Sequence, residues 1–205
     1  AMQSNLMYQP IKKYYPKNKP KKILYLAAGE HKQDVLRPLL ANELITKGFM
    51  VTLLPLRKAG YSKQMGIPYL RLTNFLQRNN PFPWIKRKSF LDLDITENIK
   101  SQKGVLVLPP TAYRILAKSQ FPLPKVSRVV ILTPVPEWQK YTKMNDWLRQ
   151  KEVFIVGSSI HKKRIQKMLS QWKGKYKVYP KAGIGYQVFF RVLSSKSDFI
   201  QWLSS

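Results

Sequence analysis

Short runs of consecutive apolar residues alternate along this chain with segments of helical periodicity. The apolar runs cover residues 23–28, 50–54, 104–108, 126–133, 153–157 and 176–179. Runs of this kind are typical of parallel strands that are buried on both faces. Between the first two runs, apolar residues recur at helical spacing, and Lys47-Gly48 ends that segment. Strand, helix and strand in succession predict a right-handed βαβ unit.

The later segments continue this alternation. We expect helices over residues 111–119, with Thr111 as N-cap, over 137–149, and over 197–203. Another helix is expected after Ser158 or Ser159, with an apolar stripe formed by Ile165, Met168, Leu169 and Trp172. Residues 67–72 suit a further strand, and 72–76 a helical turn. The pattern predicts an α/β fold: one Rossmann-like domain over 22–205, an open and mainly parallel sheet with helices on both faces, and a basic flexible arm over 1–21.

Charge adds a second constraint. The chain carries 37 Lys+Arg against 10 Asp+Glu, a formal net charge of +27. No acid lies between Glu43 and Asp92, or between Glu152 and Asp198, while Lys and Arg recur through both intervals. Such a surface favours a polyanionic partner, either an anionic membrane surface or nucleic acid.

The basic residues concentrate in two places beyond the arm. Polyanion-binding candidates are the loop residues Arg57, Lys58, Lys63, Trp84, Lys86, Arg87 and Lys88, and the helix residues Lys162, Lys163 and Lys167. Basic residues beside aromatic ones suit either a lipid interface or single-stranded nucleic acid. The sequence has none of the common nucleic-acid-binding signatures.

Metal and thiol chemistry have little support. The chain has no cysteine and two histidines, so we expect no metal site and no cofactor. Asp92 and Asp94 suit a solvated edge better than a metal pair. Without a transmembrane run or a signal peptide, we expect a cytoplasmic protein that can lie peripherally on the inner membrane face.

Gly29, Glu30 and His31 form the candidate ligand site. They follow the first predicted strand and open the first helix, which is where open α/β sheets bind ligands. The turn has neither the G-x-G-x-x-G nor the Walker pattern. Ser158-Ser159 lacks a G-x-S-x-G elbow, so helix capping is the better interpretation there.

The order of these pieces resembles the N-terminal Rossmann-like half of GT-B glycosyltransferases, the glycogen-synthase-like retaining family above all. The resemblance rests on 22–26, the Gly29 turn, 39–54, 153–165 and 176–184. It departs from the family at Thr133-Pro134-Val135-Pro136, where a histidine is usual, and the last motif lacks its Asn and Asp. The resemblance covers only the first of the family's two Rossmann domains.

That resemblance implies the acceptor-side, membrane-facing half of a GT-B enzyme or split enzyme. Gly29, Glu30 and His31 would line the acceptor cleft. A second Rossmann-domain subunit would supply the nucleotide-sugar donor, so transferase activity would need that partner. Two alternatives stay open: a non-enzymatic nucleic-acid-binding protein with phosphate contacts along 162–177, and a structural protein that assembles with an acidic partner.

Overall fold

The computed structural model describes residues 12–19, 22–27, 36–54, 104–118, 122–180, 183–194 and 198–205. The strands are β1 (Lys12–Tyr14), β2 (Ile23–Ala27), β3 (Met50–Leu54), β4 (Val105–Leu108), β5 (Arg128–Leu132), β6 (Glu152–Ser158) and β7 (Lys173–Tyr179). The helices are α1 (Leu36–Thr46), α2 (Pro110–Lys118), α3 (Thr142–Arg149), α4 (Lys162–Leu169), α5 (Tyr186–Ser194) and α6 (Phe199–Ser204). Short 3-10 turns lie at Trp138–Lys140 and Ser159–His161.

One sheet organises these elements, with strand order β1-β3-β2-β4-β5-β6-β7. Six strands, β2 to β7, run parallel, and β1 pairs antiparallel with β3 at one edge. The predicted fold class is therefore confirmed: a single α/β domain whose open parallel sheet is flanked by helices.

Each central strand sends its side chains alternately into two separate cores. In β2, Tyr25 packs against the cluster formed with α2, α3 and α4, whereas Leu24 and Leu26 pack against the cluster formed with α1, α5 and α6. Because both faces are covered by helices, every position in a central strand can be apolar. This is why the sequence shows continuous apolar runs rather than alternation.

The chain reverses its direction across the sheet between β2 and β4. From β2 it first moves outward to β3, and it then returns to β4 and continues outward to β7. Connections on the two sides of such a point diverge, and open α/β sheets bind ligands there, at the carboxyl ends of the strands. The chain then crosses back over the sheet in α5, where the buried Tyr186 hydroxyl donates a hydrogen bond to the carbonyl of Ala27 in β2.

Several boundaries differ from those predicted. β7 begins at Lys173 rather than Tyr176, since its first residues are exposed at the sheet edge and carry no apolar signal. The apolar stretch after Gly185 is helix α5. Within the segment expected to be an arm, Lys12–Tyr14 forms β1, while the boundary at residue 22 stays a prediction. The strand and turn expected over 67–76 lie outside the described residues.

Arg128 joins the first residue of β5 to the end of the chain. Its Nε lies 3.0 Å from Glu152 Oε2, and its Nη1 donates to the Trp202 carbonyl and, at 2.8 Å, to Ser205 Oγ. The guanidinium also lies over the Trp202 ring, 5.2 Å from its centroid. Because one largely buried cation makes all these contacts, it holds α6 against the sheet.

We predict that Arg128→Met lowers the free energy of unfolding by about 2 kcal/mol, because it leaves a carboxylate and a carbonyl without their charged donor. Urea unfolding followed by circular dichroism measures this loss. Arg149→Met is the matched control, since Arg149 pairs with Asp146 at the surface and should contribute less than about 0.5 kcal/mol. Equal losses in the two variants would contradict the role given to Arg128.

Candidate functional site at the carboxyl end of the sheet

The predicted ligand turn, Gly29, Glu30 and His31, follows the carboxyl end of β2 in the sequence and lies outside the described residues. The predicted polyanion-binding loops also lie outside them: Arg57, Lys58, Lys63, Trp84, Lys86, Arg87 and Lys88. These assignments stay predictions. The described part of the carboxyl end is formed by the segments that follow β4, β5, β6 and β7.

A sharp turn connects β4 directly to α2. Only Pro109 separates the strand from the helix, which begins at Pro110, one residue before the predicted cap Thr111. Proline suits the first helical position because its missing N–H needs no partner there. Both prolines are buried, and Thr111 carries the one hydroxyl of this turn.

A strained residue links the loops after β5 and β7. Thr133 has a φ of 72°, the left-handed region that β-branched residues rarely adopt. Its N–H donates to the Val156 carbonyl at 2.7 Å, and its Oγ1 accepts a hydrogen bond from the Gly185 N–H at 3.1 Å. The two bonds hold the turn that follows β7 above the ends of β5 and β6. Nothing in the sequence marks Thr133 for this role.

Glu137, in the loop after β5, is held by two side chains. Its Oε1 accepts from Arg114 Nε at 2.5 Å and from the Tyr141 hydroxyl at 3.2 Å. The hydrogen bond from Arg114 is the main reason why the pKa of Glu137 falls to about 2. The carboxylate is therefore ionised and already engaged, which disfavours a role as general acid or base.

β6 ends at Ser158 and is followed by the turn residues Ser159, Ile160 and His161. Ser158 is buried and still part of β6, and neither the 3-10 turn nor α4 has a side-chain cap, so the predicted capping by these serines is wrong. The strand extends to Ser158 because it pairs with Tyr179 of β7. Burial, and secondarily the nearby Arg164, lowers the pKa of His161, which favours the neutral imidazole at pH 7.

Two exposed isoleucines stand at this end of the sheet. Ile160 is 80% exposed and Ile184 is 48% exposed. Ile184 immediately precedes Gly185, which has a φ of 59° and is bonded to Thr133. Because Thr133 is in turn bonded to Val156 of β6, the turn that carries Ile184 is brought back toward β6, the strand that leads to Ile160.

Two of the predicted helical lysines, Lys162 and Lys163, closely follow the exposed Ile160 along the chain. Lys162, Lys163 and Lys167 are exposed on α4, whose Ile165 and Met168 are buried in the core. The neighbouring lysines of β7 do not continue that face. Gly174 faces α4, so Lys173, Lys175 and Lys177 point to the opposite side of the sheet.

The lysines of β7 have a structural explanation of their own. This strand is the edge of the sheet, and lysines on an edge strand hinder pairing with the edge of another molecule. The lysines of α4 have no such explanation. In the part of the chain that the structure describes, the ion pairs of Glu43, Glu137, Asp146 and Glu152 all involve cations outside α4 and β7.

The described residues contain no group of three or more His, Asp or Glu side chains that could hold a metal ion. They also contain no helix that is both long and apolar enough to cross a bilayer.

No protein-family model matches this sequence, and no curated protein sequence does. Solved structures do match it. A lipase in its open form has a TM-score of 0.56 at 11% identity, and the match covers 95% of this chain and 94% of the lipase. Est1E from Butyrivibrio proteoclasticus, with ferulic acid bound, has a TM-score of 0.50 at 11% identity, covering 95% and 94% of the two chains. Likeness at this identity shows a shared fold alone, and the matched structures are those of esterase- and lipase-type α/β hydrolases.

The predicted GT-B glycosyltransferase half is therefore wrong, because the structural neighbours are hydrolases. The predicted transferase function is wrong for the same reason, and so is the alternative of a nucleic-acid-binding protein. The motifs behind the resemblance, such as 22–26 and 153–157, are buried strands followed by turns and helices. Any parallel α/β sheet requires such segments, so they report the fold class and not the family. The expected second subunit and its nucleotide-sugar donor remain untested.

We predict that Glu137→Gln lowers the free energy of unfolding by about 1 kcal/mol at neutral pH, because it removes the charged acceptor of Arg114. A carboxylate with a depressed pKa stabilises the fold above its unfolded-state pKa. This contribution is lost as the pH falls toward the folded value, about 2. Urea unfolding of both proteins at a series of pH values should show the difference shrinking below about pH 4.5.

Asp146→Asn is the control for Glu137→Gln, since it breaks an exposed pair with Arg149 and should change stability little at neutral pH. A Glu137→Gln difference that stays constant down to pH 2 would show that Arg114 does not hold this carboxylate.

Proposed function

We propose that this protein docks peripherally on an anionic membrane surface through the carboxyl end of β6 and β7, and that it does not carry out serine-based acyl transfer. The observation that carries the proposal is the group of exposed lysines on α4, which follows the exposed Ile160 and forms no ion pair with a described acid. Cations next to exposed apolar side chains are the combination with which peripheral proteins contact anionic lipid.

The segments that would carry serine chemistry lack the required residues. In the α/β-hydrolase fold, the nucleophile stands in G-x-S-x-G at a strand-to-helix turn, and a carboxylate and a histidine follow along the chain. The β4–α2 turn reads Leu108-Pro109-Pro110-Thr111-Ala112. It contains neither of the two glycines of that motif and no serine. In the described loops between β5 and α3, between β6 and α4, and between β7 and α5, the only acid is the engaged Glu137, and the only histidine is His161.

The charge around α4 is large enough for docking. Lys162, Lys163, Arg164 and Lys167 lie on this helix, and no acid occurs between Glu152 and Asp198. Each basic residue near an anionic bilayer contributes about 1 kcal/mol, so the four supply roughly 4 kcal/mol. That attraction is screened by salt, since the Debye length is about 10 Å at 0.1 M.

Ester hydrolysis is the second candidate function, because one structural neighbour is a lipase and the fold is that of hydrolases. It requires a nucleophile other than a serine at the β4–α2 turn. Thr111, in the first turn of α2, carries the hydroxyl at that position.

We predict that a fluorophosphonate probe does not label the purified protein and that p-nitrophenyl esters are not hydrolysed above the background rate, because Pro109 and Pro110 occupy the elbow. Labelling that Thr111→Val abolishes would establish the hydrolase instead. Gel-based labelling beside an active serine esterase measures this directly.

We predict that the protein sediments with vesicles containing phosphatidylserine and not with pure phosphatidylcholine vesicles at about 0.1 M salt, and that high salt releases it. Lys163→Gln/Lys167→Gln should weaken binding roughly 10- to 30-fold, at about 1 kcal/mol for each charge. Lys118→Gln/Lys125→Gln removes the same charge from exposed positions outside the docking face and should have little effect.

A gel shift with random DNA and RNA runs beside the vesicle assay. Tight nucleic-acid binding without a preference for anionic vesicles would overturn membrane docking. So would equal losses in the two lysine variants, because the attraction would then follow net charge and not the α4 face.

A further inference from the structure

The structure supports a specific docking geometry, which rests on the proposed membrane function. We propose that Ile160 and Ile184 insert together into the headgroup region of an anionic membrane, while the lysines of α4 contact the lipid phosphates. The carboxyl end of β6 and β7 would then face the bilayer, and the amino end of these strands would point away from it.

Exposure singles out the two isoleucines. Among the described residues, the exposed large hydrophobic side chains are Tyr15, Leu39, Ile160 and Ile184. A single exposed apolar residue needs no explanation. Two of them at one end of the sheet, on segments that follow adjacent strands, form a site where apolar contact with a partner is gained at low cost.

The backbone fixes both isoleucines in place. Ile160 lies in the 3-10 turn between β6 and α4, so it is anchored on both sides by regular structure. Ile184 is anchored through Gly185, whose N–H is bonded to Thr133 Oγ1. Fixed positions reduce the conformational entropy lost on insertion, in contrast to a flexible loop that must be ordered first.

The surrounding side chains suit a lipid headgroup. Lys162 and Lys163 follow Ile160 within three residues, and both are exposed. Lysine can extend its charged end toward phosphate while its methylene stem lies against apolar surface. Burial, and secondarily Arg164, lowers the pKa of His161, which favours the uncharged imidazole at neutral pH. The attraction around Ile160 therefore rests mainly on its lysine and arginine neighbours.

The first test compares substitutions of exposed aliphatic residues. Ile160→Ser/Ile184→Ser should weaken sedimentation with phosphatidylserine vesicles about tenfold, because the two exposed aliphatic side chains that would move from water into the membrane are lost. The residual binding should remain salt-sensitive. Leu39→Ser is the control, since Leu39 is another exposed aliphatic residue, 55% exposed on α1. This variant should bind vesicles like the wild type.

The second test reports on insertion itself. The chain has no cysteine, so Ile160→Cys and Leu39→Cys each give a unique site for a polarity-sensitive fluorophore. Emission from position 160 should shift to the blue when phosphatidylserine vesicles are added, and emission from position 39 should not. Circular dichroism of each labelled protein checks that the fold is retained.

The outcomes separate the two proposals. If the wild type does not bind phosphatidylserine vesicles, the proposed function fails and the insertion fails with it. If the wild type binds but the serine variant binds equally well and emission at position 160 is unchanged, only the insertion is wrong. If Leu39→Ser weakens binding as much as the isoleucine pair, the geometry is overturned as well.

Discussion

The burial of the parallel sheet on both faces is the constraint on which the rest of this structure depends. Every central strand divides its side chains between two cores, so helices must cover both faces. This leaves the strand ends and the edge strand β7 as the places where polar and charged residues can lie. Because the helices run back along the faces, the segments after β4 to β7 all meet at the carboxyl end, where the fold has room for function.

The distribution of acids explains the positive charge at the carboxyl end of the sheet. Four of the described acids pair with cations that lie outside α4: Glu43, Glu137, Asp146 and Glu152. Glu137 shows the consequence most clearly, since its hydrogen bond from Arg114 holds its pKa near 2 and makes it part of the scaffold. The lysines of α4 have no acid nearby in the sequence, and none of these four described acids pairs with them, so they add positive potential to this surface.

The sequence predicted the sheet well because strands that are buried on both faces of a parallel sheet form short apolar runs. β4, β5 and β6 were all recognisable, and so was the amphipathic α4. The family could not be predicted in the same way, since buried strands look alike in transferases and hydrolases. The site was harder still. The left-handed Thr133 and the exposure of Ile160 arise from tertiary contacts between segments that are far apart along the chain. Two signals in the sequence did bear on the site: the lysines of α4, and the Pro109-Pro110 turn after β4, which does not match the G-x-S-x-G elbow.

Amide hydrogen exchange with and without phosphatidylserine vesicles tests the central claim most directly, because it reports which segments the membrane covers. The account predicts slower exchange at the 3-10 turn Ser159–His161, at the start of α4 and around Gly185, with little change at Lys47–Phe49 or at the end of α3. Protection elsewhere, with unchanged exchange at Ser159–His161 while the protein is bound to vesicles, would contradict it.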